Sequence, residues 1–456
     1  MLDNYYDIEP QEFLIKDKQE SEDGDFLYTL VPTRRMACCP MCGSFSVIKH
    51  GLASRDVRDT SIHGHRVGLH IEASRYMCKH CKGTFTDEFK SISQDAKITN
   101  RLRDYIREES LRRPFLNIAD EIGITDTTVR TIFKEYAIEL DKNRVFKTPR
   151  VLGIDENHIC NNYRAVFVDI EERLLLEMLP DRKKAHVIAY IKSLRDYEKI
   201  ECVTCDMYTG YREAAYECIP DVKVIIDKFH VIKMVNDALE KIRRSLRKDI
   251  GKDESRKLRR SKGLLLANME DLSFEQTVAL KELFIEYPVF EEPHRLKEMF
   301  RDIYGSKTKT EAETKYSVWK ESVTGYTEFE VVAATVDNWH KEIFNYFEYR
   351  YTNATTESLN KLINDIAEKG RGYSFEVLRL KCLYGTKATH REKYSFKKYR
   401  VQKEKSDGFA RMSFMTSGYM TTFDEPSYEV IEKKELIQGF GVDIEELDRI
   451  VNSDTF

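Results

Sequence analysis

The sequence predicts a multidomain α/β chain: a mixed sheet with flanking helices, interrupted by an α-helical insertion and preceded by two small modules. Three observations predict it. Two C-x2-C pairs lie near the amino end, two short amphipathic helices follow, and from residue 151 strand-like and helix-like patterns alternate. At 456 residues the chain exceeds one ordinary core, so several domains are expected. The segments divide as 1–37, acidic; 38–92, cysteine-punctuated; 97–145, helical; 148–240, first part of the sheet core; 241–335, helical insertion; 336–400, second part of the core; and 401–456, an acidic tail.

A hydrophobic fraction of 41% with 33% charged residues describes a soluble, folded chain. No window approaches the roughly 18 uninterrupted apolar residues of a membrane span, so no membrane is expected as a partner. MLDNYYDIEP lacks a basic stretch leading into an apolar one, so no signal peptide is expected and the location read is cytoplasmic. The ten cysteines are then thiols, metal ligands or core residues rather than a disulfide framework. The net charge of −4 hides a segregation. Residues 1–25 carry nine acids and two bases, and 424–456 carry ten acids and three bases, leaving 69 bases and 59 acids between. A near-neutral total therefore does not argue against a polyanionic partner, although two solvated acidic ends account for the same numbers.

Cys39-Pro-Met-Cys42 and Cys78-Lys-His-Cys81 each suit a tight knuckle that points two thiolates at one ion. Gly43 and Gly83 follow closely, as such turns often require. Two knuckles complete a tetrahedral Zn²⁺ site, and four thiolates leave no open position, so the zinc is structural. The residues between read as a strand, a loop and a further strand, giving a zinc ribbon-like module. Cys38 could replace Cys39 at the cost of the spacing, and His63, His65, His70 and His80 are surface or loop residues that could also ligate.

RRPFLNIADEIGITDTTVRTIFKEYAIEL puts Ile118, Ala119 and Ile122 on one helical face. Gly123 breaks that helix, and Thr125 or Asp126 can cap the next. Val129, Ile132 and Phe133 turn inward, leaving Thr127, Thr128, Arg130, Thr131 and Lys134 outward. This is the shape of a helix-turn-helix, whose second helix reads a DNA major groove; an ordinary helical hairpin has the same pattern.

VLGIDENHI, YRAVFVDI and RLLLEMLP read as three consecutive strands. KKAHVIAYIKSL is then a helix, IECVTCD a buried strand, GYREAAYECI a helix, VKVIID a buried strand, and FHVIKMVNDALEKI a helix. A three-strand meander followed by alternating helices and strands is the order of the RNase H-like fold. That fold gathers acids from its first strand, fourth strand and a late helix around two divalent metals. Asp155 lies in the first strand and Asp206 ends the fourth. Hard cations such as Mg²⁺ take carboxylate oxygens from rigid elements, and a pair of them serves phosphodiester chemistry. In TNATTESLNKLINDIAEKGRGYSF, Asn353 or Thr355 caps a helix whose Glu357, Asn360, Lys361 and Asn364 form a polar stripe.

The zinc knuckles, the helix-turn-helix, GIDE, CDMYTGYREAAYECIPDVKVIIDKFHVIK and TNATTESLNKLI…GRGYSF together resemble bacterial insertion-sequence transposases of the ISL-three family, over roughly residues 38–385. The resemblance implies a DDE transposase that cleaves and joins double-stranded DNA at transposon ends, with Asp155, Asp206 and Glu357 as the triad. It implies two Mg²⁺ ions, with Mn²⁺ as a substitute, terminal inverted repeats and target DNA as partners, and a homodimer that synapses two ends at the bacterial nucleoid. A DNA-binding regulator with an inactive core, or a non-transposing nuclease of the same fold, are the alternatives.

Asp227-Lys-Phe-His230 matches a (Cys or Asp)-x-x-His signature of related superfamilies that is not counted among the metal ligands. Asp227 can cap the following helix, orient His230 or position DNA, or ligate a metal. Glu156 and His158 point to the opposite face of their strand from Asp155. RRSLRKDIGKDESRKLRRSKG holds ten bases against three acids, and Arg243, Arg244 and Arg247 in it, with Lys361, are expected to track phosphates. TKATHREKYSFKKYRVQKEK holds eight bases against two acids and interleaves Tyr394, Phe396 and Tyr399. Insertion aromatics such as Trp319 form a small core, with stacking on a flipped base as the other use.

Overall fold

A computed structural model describes residues 12–34, 36–93, 96–144 and 147–385. Seven strands come first: β1 (Phe13–Glu20), β2 (Phe26–Pro32), β3 (Val47–Leu52), β4 (Arg55–Ile62), β5 (His65–Ile71), β6 (Ser74–Cys78) and β7 (Thr84–Thr86). They form two sheets, β1-β2-β5-β4 and β3-β6-β7. Residues 13–32, read from sequence only as acidic, thus supply two strands of a sheet. Phe13, Tyr28 and Leu30 bury against Val57, Val67, Leu69 and Ile71, while the acids of β1 stay on its solvent face. The interval between the cysteine pairs is richer than strand, loop and strand: the β4–β5 hairpin leaves the ribbon and completes the other sheet.

The helical module is α1 (Asn100–Arg112), α2 (Phe115–Ile122) and α3 (Asp126–Lys142). Gly123 ends α2 in the left-handed region, at φ 76°, and its amide donates to the Ala119 carbonyl. Thr125, not Asp126, caps α3 by accepting from the Thr128 amide. Ile118, Ala119, Ile122, Val129, Ile132 and Phe133 are buried together, as the pattern requires.

The central sheet has β8 (Val151–Ile159), β9 (Asn162–Asp169), β10 (Leu174–Met178), β11 (Cys202–Cys205) and β12 (Lys223–Ile226), in the order β10-β9-β8-β11-β12. The first three form an antiparallel meander; β11 runs parallel to β8, and β12 parallel to β11. Helices α4 (Lys184–Ser193), α5 (Thr209–Cys218) and α6 (Lys228–Asp249) connect and follow the parallel strands. A helical segment then runs through α7 (Lys252–Arg260), α8 (Lys262–Leu266), α9 (Phe274–Glu286), α10 (Glu291–Ile303), α11 (Lys309–Ser322), α12 (Thr327–Asn338), α13 (His340–Phe344) and α14 (Tyr346–Tyr349). The chain returns to the sheet with α15 (Ala354–Lys369) and α16 (Phe375–Gly385).

Alternation along β9 assigns the sheet's two faces. Ala165 and Phe167 pack with α4, α5 and the helical segment, while Val166 and Val168 pack with α15, α16 and the α1–α3 module. Trp319 is fully buried and donates its indole N–H to the Leu296 carbonyl at 2.8 Å, so it is core and not a stacking platform. Among the described residues no helix is long and apolar enough to cross a membrane. The basic segment 386–405 and the tail 401–456 lie outside the described residues.

Candidate active site

Register places the carboxylates. Ile154 of β8 lies opposite Cys205 of β11, and Cys205 lies opposite Ile226 of β12. The next residue on each strand is an aspartate: Asp155, Asp206 and Asp227. Three acids therefore stand in a row across adjacent parallel strands, where such sheets bind ligands at their carboxyl ends. Asp155 and Asp227 are 5% and 2% exposed, so the row is buried rather than solvated.

Helix α15 crosses this row because β8 presents a fitted face. Gly153, Asp155 and Asn157 alternate onto one side of the strand. At Gly153 an added Cβ would sit 2.9 Å from Thr356 Oγ1 and 3.2 Å from Asn353 Oδ1, so only glycine lets the start of α15 come this close. Further along, Asn360 Nδ2 donates to Asp155 Oδ2 at 2.8 Å, and Asn157 Nδ2 donates to Asn360 Oδ1 at 3.2 Å. Asn353 occupies the N-cap position of α15, but its side chain faces inward: Oδ1 accepts from the hydroxyls of Thr356 and Thr204, and its backbone amide lies 3.4 Å from Asp227 Oδ1. Asn360 was expected from the sequence. Asn157 was not, although its position two residues beyond Asp155 on a half-buried strand was the available signal.

The expected triad residues are divided between two groups that share His230. Asp155, Asp206 and His230 each bring one ligand atom within 4.8 Å of the others; so do Asp227, His230 and Glu357. His230 Nε2 lies 3.0 Å from Asp206 Oδ1, so the imidazole is turned to Asp206 rather than to Asp227. Asp227 sits at the N-cap position of α6, where its side chain makes no close capping bond although the Phe229 amide helps to support its charge. Glu156 turns away and pairs with Arg182, and His158 packs on Tyr163, both off the Asp155 face as expected.

Burial pushes all four carboxyl groups above their ordinary range. Asp206 rises to about 9, by burial first and then by Asp155 beside it. Burial raises Glu357, and Asp227 and Asp155 add to the rise. Asp155 and Asp227 are raised chiefly by burial. The Tyr211 ring is fully buried here, its hydroxyl lacks a partner, and its ionisation is pushed up by burial and by Glu156, Asp155 and Asp206. Asp227 Oδ2 and Glu357 Oε1 are buried without a hydrogen bond, and Asp206 Oδ1 has only the His230 imidazole at 3.0 Å. Clustered, desolvated oxygen donors with open valences fit a hard divalent cation.

The cysteines make a second, different centre. Cys39 and Cys81 sulfurs are 3.7 Å apart and those of Cys42 and Cys78 3.6 Å. Thiolates at about 2.3 Å from a tetrahedral zinc stand about 3.8 Å apart, so the four fit zinc as they are. Backbone amides of Cys81 and His80 draw the Cys78 thiol down to about 6, while burial and the neighbouring sulfurs push Cys42 up to about 12. Cys38 is outside the cluster, and the four histidines are too.

The expected DNA-contact residues divide. Thr127, Thr131 and Lys134 are exposed on α3, while Thr128 is half-buried and hydrogen-bonded to Thr125 and Arg130 lies 3.6 Å from Asp126. Arg243 must be withdrawn: it is 3% exposed, bonded to both Glu240 oxygens and the Leu258 carbonyl, and so holds α6 against α7. Arg244 is exposed beside Glu240, Arg247 bonds to Ser255, and Lys361 is exposed next to Glu357. A charge count along the sequence could not separate these, because burial of Arg243 depends on how α7 folds back.

Three families of known domains match the chain. A transposase domain of the ISL3 type matches residues 152–382, a zinc-finger of transposase IS204/IS1001/IS1096/IS1165 matches 35–81, and a helix-turn-helix domain of transposase family ISL3 matches 92–137. The chain is 23% identical over 353 residues to the transposase for insertion sequence element IS1001 of Bordetella parapertussis, covering 75% of this chain and 87% of that one. It is 24% identical over 223 residues to the insertion element ISM1 uncharacterized 48.3 kDa protein of Methanobrevibacter smithii, covering 44% and 53%.

Proposed function

Because the chain belongs to the ISL3 family of transposases, we propose that it cuts and joins DNA by a DDE mechanism, with Asp155, Asp206 and Glu357 as the reacting site's carboxylates. The observation that carries this reading is the meeting of Asp155, within β8, and Asp206, just past β11, beneath the helix that bears Glu357. The sheet order β10-β9-β8-β11-β12 supports an RNase H-like core, with α7–α14 as an insertion between its two parts.

Asp155, Asp206 and Glu357 would hold Mg²⁺, for which Mn²⁺ is a substitute. A metal pair held there would supply Lewis-acid polarisation of the scissile phosphodiester and would lower the pKa of the attacking water or 3′-hydroxyl. The chain's own contribution is placement. Asn360 fixes the Asp155 carboxylate, Asn157 fixes Asn360, and Gly153 lets α15 seat close enough for both. Burial keeps bulk water from the row, which strengthens every charge interaction inside it.

Recognition is assigned to the other end of the chain. The exposed Thr127, Thr131 and Lys134 face of α3 reads a terminal inverted repeat, and the zinc module braces it. Two chains synapse two ends as a homodimer, in the cytoplasm at the nucleoid. The test is to incubate purified protein with Mg²⁺ and duplexes carrying the element's ends plus a target DNA. Strand cleavage and joining of 3′ ends to the target are expected, both lost in Asp155→Asn, Asp206→Asn and Glu357→Gln. Binding without cleavage identifies a regulator, and cleavage without joining identifies a nuclease.

A further inference from the structure

The triad accounts for three acids, yet the row contains four with Glu357. Asp227 occupies the same register position as Asp206, one strand further out, and is more deeply buried than Asp155. A buried carboxylate with an unfilled oxygen is costly unless something positive meets it. The Asn353 amide lies 3.4 Å from Asp227 Oδ1 and the Phe229 amide also supports the carboxylate, but Oδ2 has no hydrogen bond. Its neighbours with open valences are Glu357, whose Oε1 is also unpartnered, and His230; one atom of each lies within 4.8 Å of the others. The imidazole's Nε2 faces Asp206 at 3.0 Å, so orienting His230 does not occupy Asp227.

We propose that Asp227 is a fourth metal-binding carboxylate: with Glu357 and His230 it holds one divalent cation, adjacent to another held by Asp155 and Asp206. This rests on the metal-dependent reading above and changes its ligand set. Glu357 then closes the second position through Asp227, and His230 lies between the two. An imidazole nitrogen among two carboxylates also favours Mn²⁺ over Mg²⁺ at that position, since nitrogen donors suit the transition metals better than the alkaline earths.

The test is a Mn²⁺ titration of the full-length, zinc-loaded protein followed by electron paramagnetic resonance, without DNA. Two ions per chain are expected for the wild type. Asp227→Asn keeps the side chain's size and an acceptor for the Asn353 amide, so a merely structural Asp227 would leave the titration unchanged. On the proposal it weakens one of the two ions by roughly a hundredfold or more, since even outer partners of a ligand are worth 10- to 100-fold. Glu357→Gln, on the opposite wall, weakens the same ion, while Asp155→Asn weakens the other. Asp227→Glu, which restores a carboxylate, recovers part of the loss. Circular dichroism of each variant separates ligand loss from unfolding. Wild-type affinity for both ions in Asp227→Asn, with one ion still lost in Asp155→Asn, overturns the fourth ligand and leaves the triad standing. No Mn²⁺ uptake by the wild type beyond the cysteine site overturns both.

Discussion

The cysteine cluster and the carboxylate row are built in opposite ways. The four sulfurs already lie in mutual contact, two of them exposed, on turns that include Gly43 at φ 71° and Lys82 at φ 58°. Around them β3-β6-β7 buries little: β3 has no buried residue, and β6 buries only Tyr76 and Cys78. The carboxylates instead stand within or just past strands of a packed sheet, or on the helix over it, and burial works against their charge. In one region little core surrounds the sulfurs; in the other a packed sheet sets the acids in place. A soft, closed, four-sulfur set suits a structural ion, and a hard set with open oxygens suits one that exchanges substrate.

The sharpest break in that contrast is Cys78→Ser. Structural zinc contributes roughly 10–16 kcal/mol of apparent binding energy in zinc-finger peptides at neutral pH. The variant is expected to lose zinc and amide protection across β3-β6-β7, while β8–β12 keep theirs. Hydrogen exchange with a zinc assay reads both. Retained protection in β3-β6-β7 without zinc would mean that the ribbon folds on its own packing.

Asp155→Asn is the opposite case. Cleavage is expected to fall by roughly a thousandfold, about 4 kcal/mol of barrier, as for loss of a group that stabilises developing charge. Metal-free melting should hold or rise, because a buried charge next to Asp206 is gone. A drop in melting temperature alongside the lost activity would recast Asp155 as structural.

What the sequence revealed follows the same division. The zinc site was legible because its geometry is local: two residues between cysteines set each knuckle. Gly123 and Thr125 announced the helix-turn-helix for the same reason. Asp155 within the first strand and Asp206 at the end of the fourth were legible once the strand order was guessed. The nearness of Asp227 to Glu357 was not, because 130 residues of chain separate them and only sheet register and the seat of α15 bring them together. Arg243 misled for a related reason: Glu240, one turn back on α6, pairs with it, and Leu258 reaches it only through the fold-back of α7, which a charge count does not see.

A gentler probe of the row is pH. Asp206 is raised to about 9 in the folded chain, against about 3.9 for an ordinary aspartate. The folded state therefore holds this proton more tightly than the unfolded state. Metal-free stability is fully retained below about pH 4 from this group, falls as pH rises towards 9, and is level above that. Melting temperature against pH, in divalent-free buffer with zinc retained, should show this decline. Asp206→Asn should flatten it, and Asp155→Asn should move it to lower pH, since Asp155 is the second cause of the shift.

The smallest change tests whether placement alone separates the two regions. In Gly153→Ala the new methyl carbon would lie 2.5 Å from Ile170 Cδ1, 2.9 Å from Thr356 Oγ1 and 3.2 Å from Asn353 Oδ1. The Ile170 methyl can swing aside, but Thr356 and Asn353 are fully buried and bonded to each other, so the start of α15 must lift. Overpacking of this kind costs about 1–3 kcal/mol. Glu357 rides on the same turn as Thr356, and a shift of about 1 Å in a reacting group costs on the order of a hundredfold in rate. Cleavage is thus expected to fall by about that factor, with zinc content and binding to the inverted repeat unchanged. If cleavage stays at the wild-type rate while stability falls, α15 is not what aligns the acids, and the alignment must reside in the strands alone.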